Sequence, residues 1–226
     1  GRPLAALPAL PQSRNKRIRG PVHLAIVLNR GTVITWTLVI AGLTAYFIAL
    51  TGSLSEWMET QANVGQVLKE LFGAGDMKTE FIAYVAKLCG ILVAAMGVQT
   101  IVTYRGGELD RTVDLQRSAG IRGWVPLGVS GLVAGAAVLL GTLAVFLGGR
   151  VGLWTQESTT SGDYANLLPA AWSQLAPALL LTAVAVAVVG WLPALTHVAW
   201  VPVVSAAMLT LFGPVLDAPE WLIALS

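Results

Sequence analysis

Five stretches of this chain are each about long enough to cross a bilayer and carry almost no charge, which leaves few folds open to it. They run about Val33 to Leu50, Phe81 to Val102, Val125 to Leu147, Ala170 to Trp191 and Ala194 to Phe212. Within all five, Lys87 is the one Lys, Arg, Asp or Glu. A helix needs ~20 apolar residues, at ~1.5 Å each, to span the hydrocarbon core. Charged residues make up 12% of the 226-residue chain and the mean hydropathy is +0.72. Soluble domains carry roughly 25% charge, so half of the usual water-facing surface is missing. The fold class expected is an all-α polytopic membrane bundle: about five transmembrane helices plus amphipathic surface helices.

The basic residues orient such a bundle, because short cytoplasmic segments collect Lys and Arg. Arg14, Lys16, Arg17, Arg19 and Arg30 precede the first span, and Arg105, Arg111, Arg117 and Arg122 lie between the second and third. The alternate loops hold only Lys69, Lys78 and Arg150 beside most of the acids. The N-terminus and the 103–124 loop are therefore expected in the cytoplasm, and the 53–80 and 149–168 loops outside. Residues 1–20 read as a Pro-rich basic cytoplasmic linker, and 21–226 as the transmembrane domain. Pro21 opens an amphipathic stretch, Val22 to Arg30, expected to lie on the membrane surface before the chain turns inward. Trp57, Val64, Val67, Leu68, Leu71 and Phe72 recur at helical spacing, so an external helix is expected within 53–80. A second external segment is expected over 214–226, with Trp221 as an interfacial anchor and a further span after Ser226.

Several residues stand out against this apolar ground. Gly131 and Gly135 form a GxxxG spacing of the kind that lets helices approach closely in lipid. Lys87 must snorkel to the interface or face a cavity. Gln99, Thr100 and Thr103 are expected to bridge helices near the inner end of the second span. Trp36, Tyr46 and Trp200 join Lys87 and Gln99 as candidates for a substrate path, set against the ordinary role of aromatics as interfacial belts. Pro177, Pro193 and Pro202 are positioned to break or kink the fourth and fifth spans. Cys89 has no partner for a disulfide, and no Cys/His spacing points to a metal. In the 103–124 loop, Arg111 follows Glu108 and Asp114 follows Arg111 at helical-neighbour spacing, with Arg117 beyond them and Gly120 as a helix stop. Spacing alone fits a solvated loop and a docking helix equally well.

The order of these parts resembles the membrane subunit of a type-2 ABC exporter, in particular the actinobacterial polyketide-antibiotic and multidrug exporter permeases. The likeness rests on Asn29-Arg30-Gly31 before the first span, on Glu108, Asp110-Arg111, Leu115 and Arg122-Gly123-Trp124 in the loop, and on a close of Leu211-Phe212-Gly213-Pro214-Val215-Leu216, Pro219-Glu220-Trp221 and Leu225-Ser226. Asp110 stands where that family usually has glycine, and Val113, Gln116 and Ala119 to Ile121 also depart from its pattern. The resemblance implies one six-helix half of a permease, with a second half fused or separate. It implies that Arg30, Glu108, Arg111, Asp114 and Arg117 couple the chain to a cytoplasmic ATP-binding subunit in two copies. No phosphate-cradling Gly-x-x-x-x-Gly-Lys loop occurs here, so ATP and Mg would belong to that subunit and this chain would be a transport subunit without its own catalysis or cofactor. Its cargo would be a hydrophobic drug-like compound moved out across the bacterial plasma membrane. An ion-coupled secondary transporter and a membrane enzyme acting on lipid are the alternatives. The first usually needs an acid within a span, and the second a His/Asp/Glu cluster at a membrane face.

Overall fold

The structure, a computed structural model, describes residues 20–60, 77–109, 124–156 and 159–212. Among these every regular element is helical. Five helical stretches are long and apolar enough to cross a membrane. Their order is α1 (Pro21–Thr60), α2 (Met77–Leu109), α3 (Val125–Trp154), α4 (Ser161–Ser173) and α5 (Leu175–Trp191). A 3₁₀ segment (Pro193–Trp200) and α6 (Val201–Phe212) follow.

Boundaries differ from the sequence reading in informative ways. No turn separates Val22–Arg30 from the first span, because α1 is a single helix of 40 residues. Nothing in that stretch stops a helix: Gly31 is helical, and Pro21 sits at the start, where its missing N–H costs no bond. The second span likewise continues past Tyr104 to Leu109 and takes the first residues of the 103–124 loop with it. The fourth span begins earlier, at Ser161, as two helices meeting at Gln174. Pro177 removes one backbone donor just beyond that junction. Pro193 opens the 3₁₀ segment, where Leu195 leaves helical geometry (φ −109°, ψ 33°), and Pro202 lies in the first turn of α6. Of the external segment expected over 53–80, residues 53–60 continue α1 and 77–80 open α2, while 61–76, like the tail after 212 and the linker before 20, lie outside the described residues.

Contacts fix how the helices run. Gly148 and Gly152 of α3 face Ala41 and Ala45 of α1, and Gln156 reaches the Ile48 carbonyl. The offset between the two chains stays near 107 throughout these pairs, so α1 and α3 are parallel. The pairs Lys78–Asp163, Gly90–Gln174 and Gly97–Thr182 hold a similar constant offset, so α2 runs parallel to α4 and α5. Gly141 against Val93 and Gly97 against Val138 show α2 antiparallel to α3. An up-and-down bundle results, with α2 at its centre. Val85, Val93, Met96, Val98 and Ile101 of α2 are all fully buried. By contrast α1 buries only a narrow stripe through Ile40, Thr44 and Ile48 and leaves Ile34, Leu38 and Tyr46 exposed.

In lipid polar groups seek partners within the protein, and five threonines of the spans find theirs locally, whereas the buried Thr51 hydroxyl meets no partner among the described residues. Thr37, Thr44, Thr100, Thr142 and Thr182 each donate to the carbonyl four residues earlier. Thr100 and Thr103 therefore bond within their own helix and do not bridge helices as expected from sequence. Among these five, Thr44 also donates across helices, to Cys89 Sγ at 3.1 Å.

The small-residue contact also falls elsewhere than expected. A Cβ at Gly135 would meet nothing within 4 Å, and one at Gly131 would make ordinary contact with Val186. It is Gly148 and Gly152, a second GxxxG pair, that press against backbone. A Cβ on Gly152 would lie 2.6 Å from the Ala45 carbonyl oxygen, and one on Gly148 would collide with the Ala41 carbonyl. Backbone cannot rotate away as a side chain can. Gly148→Leu is therefore expected to force α1 from α3 and to destabilise the bundle by roughly 1–3 kcal/mol. Thermal unfolding in detergent would measure this, with Gly135→Ala as a control expected to stay within about 0.5 kcal/mol of the parent.

Candidate functional site

The residues singled out in the sequence divide between the two ends and the surface of the bundle. At the end where α1 begins, Arg30 is exposed and Asn29 beside it is buried, donating to the Ala25 carbonyl at 3.0 Å. Glu108 falls in the last turn of α2. That placement makes it part of the same rigid rod that passes through the membrane. Arg111, Asp114 and Arg117 lie outside the described residues.

The five path candidates are not alike. Tyr46 is 60% exposed and packs edge-on against Phe47, ring centroids 5.6 Å apart. Lys87 is exposed on α2, while Trp36, Gln99 and Trp200 are half-buried, with Trp36 and Trp200 packed on the core. The antiparallel register puts Lys87 about level with Gly148, some six residues from the end of α3. From that depth a four-carbon stem is long enough to reach the interface, and among the described residues Lys87 makes no ion pair.

The best-formed polar cluster is one the sequence reading passed over. At the opposite end, Lys78 Nζ contacts Asp163 Oδ2 at 2.8 Å, tying the first turn of α2 to the first turn of α4. Asp163 is only 5% exposed. It is also the third residue of α4 and closes a capping box. Its carboxylate accepts from the Thr160 N–H at 2.9 Å, and the Thr160 hydroxyl accepts from the Asp163 N–H at 3.4 Å. One carboxylate thus completes a helix start and an interhelical ion pair together, which is why it tolerates burial. Asn166, one turn on, donates to Thr79 at 3.3 Å and repeats the tie. The Thr160-Ser161-Gly162-Asp163 spacing was a readable cap signature. Its partner 85 residues away was not.

Deeper along the same seam, Gly90 leaves room for Gln174. A Cβ at Gly90 would stand 2.7 Å from the Gln174 side-chain oxygen. The junction of α4 and α5 therefore carries a polar side chain into a notch of the central helix. Among the described residues no group of three His, Cys, Asp or Glu is placed to hold a metal.

Fold and site together define a polytopic helical membrane protein whose central helix is clamped at one end and runs at the other to the level where α3 begins. A family model described as "Multidrug efflux system permease Rv1217c, C-terminal domain" matches residues 18–226, and the chain belongs to that family. A curated relative, the multidrug efflux system permease protein Rv1217c of Mycobacterium tuberculosis, is 26% identical over 215 residues. That match covers 91% of this chain and 37% of the relative, so the chain spans little more than a third of the relative's length.

Breaking the clamp from either side has different consequences. Lys78→Met leaves Asp163 its cap but strands a buried carboxylate, whereas Asp163→Ala removes cap and ion pair together. Each is expected to cost several kcal/mol, roughly 3–5 for a buried partner lost. Hydrogen exchange should rise first in residues 161–167, with Asp163→Asn milder than Asp163→Ala because the amide still caps.

Proposed function

We propose that this chain is the membrane-spanning part of an ATP-driven exporter that moves a hydrophobic, drug-like or antibiotic compound out of the cell. Membership of an efflux-permease family supports the reading, and α2 supplies its mechanical basis. That helix runs without a break from the Lys78–Asp163 clamp at one end to Glu108 at the other. Its 33 residues make a rod of ~50 Å at ~1.5 Å per residue. A displacement imposed at the Glu108 end is carried to the clamp, because close-packed helices shift as bodies and do not deform locally.

In this reading Arg30, Glu108, Arg111, Asp114 and Arg117 meet a cytoplasmic ATP-binding subunit, present in two copies, which holds ATP and Mg. The N-terminus is cytoplasmic, the membrane is the bacterial plasma membrane, and the clamp faces outside. A second permease half, fused or separate, completes the path. The broad exposed faces of α1 are where it would pack, since α1 buries so little of itself within this bundle. Trp36, Tyr46, Gln99 and Trp200 are the side chains proposed to meet the cargo, with Lys87 at its outer end. The rival secondary-transporter reading needs a free acid within a span. Asp163, the buried carboxylate here, is already committed to its cap and to Lys78.

Mild-detergent purification of the native assembly, followed by mass spectrometry, tests the proposal. A stoichiometric ATP-binding subunit should accompany the parent chain and fall more than about tenfold when Arg111 and Asp114 are both charge-reversed, as for interfacial charge pairs. A parent chain that purifies alone would refute the coupling role. Lys87→Leu should leave the unfolding temperature unchanged or raised, since it removes a charge from lipid. Reduced efflux at unchanged membrane abundance in that variant would place Lys87 on the path.

A further inference from the structure

Arg150 differs from the other cations described at its end of the bundle. Lys78 is neutralised by Asp163, but among the described residues Arg150 makes no ion pair and is held by aromatic rings on two helices. Its Cζ stands 5.8 Å from the centroid of Phe146, one turn earlier on α3, and 5.4 Å from that of Tyr164 on α4. Both rings pack against the hydrophobic core, so they are fixed platforms. Ring faces attract a guanidinium without using its N–H donors. The group is thus oriented, charged and exposed, with its planar fork of donors unspent.

Depth says what meets it. Helix α3 has 30 residues and is ~45 Å long, against a hydrocarbon core of ~30 Å. Centred in the bilayer it projects roughly 7 Å at each end, and Arg150 is one turn, ~6 Å, from its C-terminus. The guanidinium therefore lies at the boundary between acyl chains and headgroups. Trp154, 81% exposed one turn beyond, marks the same interface. Below Arg150 on the same side of α3, Leu147, Leu143 and Leu139 are 50%, 41% and 46% exposed. They form an apolar ridge running from the guanidinium into the membrane.

We propose that Arg150, with Phe146 and Tyr164, is a binding site for an anionic phospholipid. Its phosphate accepts two N–H bonds from the guanidinium, and an acyl chain lies along Leu147, Leu143 and Leu139. A phosphate suits the fork because its oxygens match the spacing of paired N–H donors. Anionic headgroups are favoured over zwitterionic ones because Asp163 is spent on Lys78 and no acid among the described residues pairs with Arg150, which leaves its charge open to the headgroup's. By bridging a side chain that touches both α3 and α4, the lipid braces the corner where the clamp also sits. The inference holds whether or not the chain is an exporter.

The test uses the purified chain with phosphatidylglycerol, phosphatidylcholine and inorganic phosphate as probes. Native mass spectrometry of the parent should show phosphatidylglycerol retained in preference to phosphatidylcholine. Added phosphatidylglycerol should raise the unfolding temperature saturably, and inorganic phosphate should do neither. Arg150→Gln should weaken phosphatidylglycerol retention about tenfold, the loss of a charge-assisted pair. Arg150→Lys, which keeps the charge and the fold but not the fork, should fall between. Equal retention of both lipids by the parent would overturn the proposal even if Arg150→Gln failed to fold. So would phosphate stabilising as well as the lipid, or a second copy of the chain in place of lipid.

Discussion

Lipid solvates no peptide group, so the helices of this bundle can be held together only by what their side faces offer. The closest approach is that of α3 to α1, where Gly148 and Gly152 admit the carbonyls of Ala41 and Ala45. The glycines also set the register, since a shift by one residue would bring Leu147 and Val151, or Gly149 and Leu153, under the same carbonyls. The parallel register of α1 and α3 in turn fixes the trough in which α2 lies. Gly141 makes room for Met96 and Val93, and Gly97 receives Val138 and Thr182, along the antiparallel and parallel faces of α2. Hydrophobicity keeps these helices in the membrane, but small residues decide which of them touch.

Which parts of this were legible in the sequence follows from that distinction. Crossing a membrane is a property of a segment's own composition, so all five spans could be read from apolar runs that hold one charge, Lys87, between them. Contact is a property of pairs. Gly131–Gly135 and Gly148–Gly152 have the same spacing, and nothing local says that the first meets a side chain and open space while the second faces backbone. The helix ends were misread for a related reason. The sequence reading placed bends where polarity changes, at Arg30 and Tyr104, but a helix ends only where backbone bonding fails. Neither place has a residue that breaks it, so α1 and α2 run on. The clamp was half legible: Thr160 and Asp163 announce a helix start, while Lys78 reads as one more loop lysine. Of the sites expected from the family resemblance, Arg30 is exposed and Glu108 extends the central helix, and the rest of the loop is outside the described residues.

The two ends of α2 are built differently, and the difference bears on any motion of the bundle. At the clamp, Lys78, Thr79 and the α4 side chains Asp163 and Asn166 form ties a turn apart. Midway, Gln174 enters the notch left by Gly90, at the one-residue junction between α4 and α5. Beyond, the fifth span starts in 3₁₀ geometry with Leu195 outside helical values. The α2–α4 pair is thus bound as a unit, while the irregular backbone lies in α4–α5 and the segment after it. Hinges absorb backbone change at such places, and rigid pairs move whole between them. A load arriving at Glu108 would carry α2 with α4 and bend the chain near Gln174 and Leu195.

The three cations near the clamped end show how one physical problem takes three solutions. Lys78 has a buried carboxylate beside it, and the pair is stable because that carboxylate also caps a helix. Among the described residues Lys87 meets neither acid nor ring, and its flexible stem is long enough to carry the charge toward water. Arg150 can do neither as well, since its guanidinium is planar and is lodged between Phe146 and Tyr164. Rings lower the cost of removing it from water but leave its N–H groups wanting acceptors. At that depth no acid among the described residues pairs with it, and the acceptors at hand are the phosphate oxygens of the bilayer itself. A site of this kind needs no cavity. It needs a donor held still at headgroup depth and an apolar ridge beneath it, and α3 supplies both on one face.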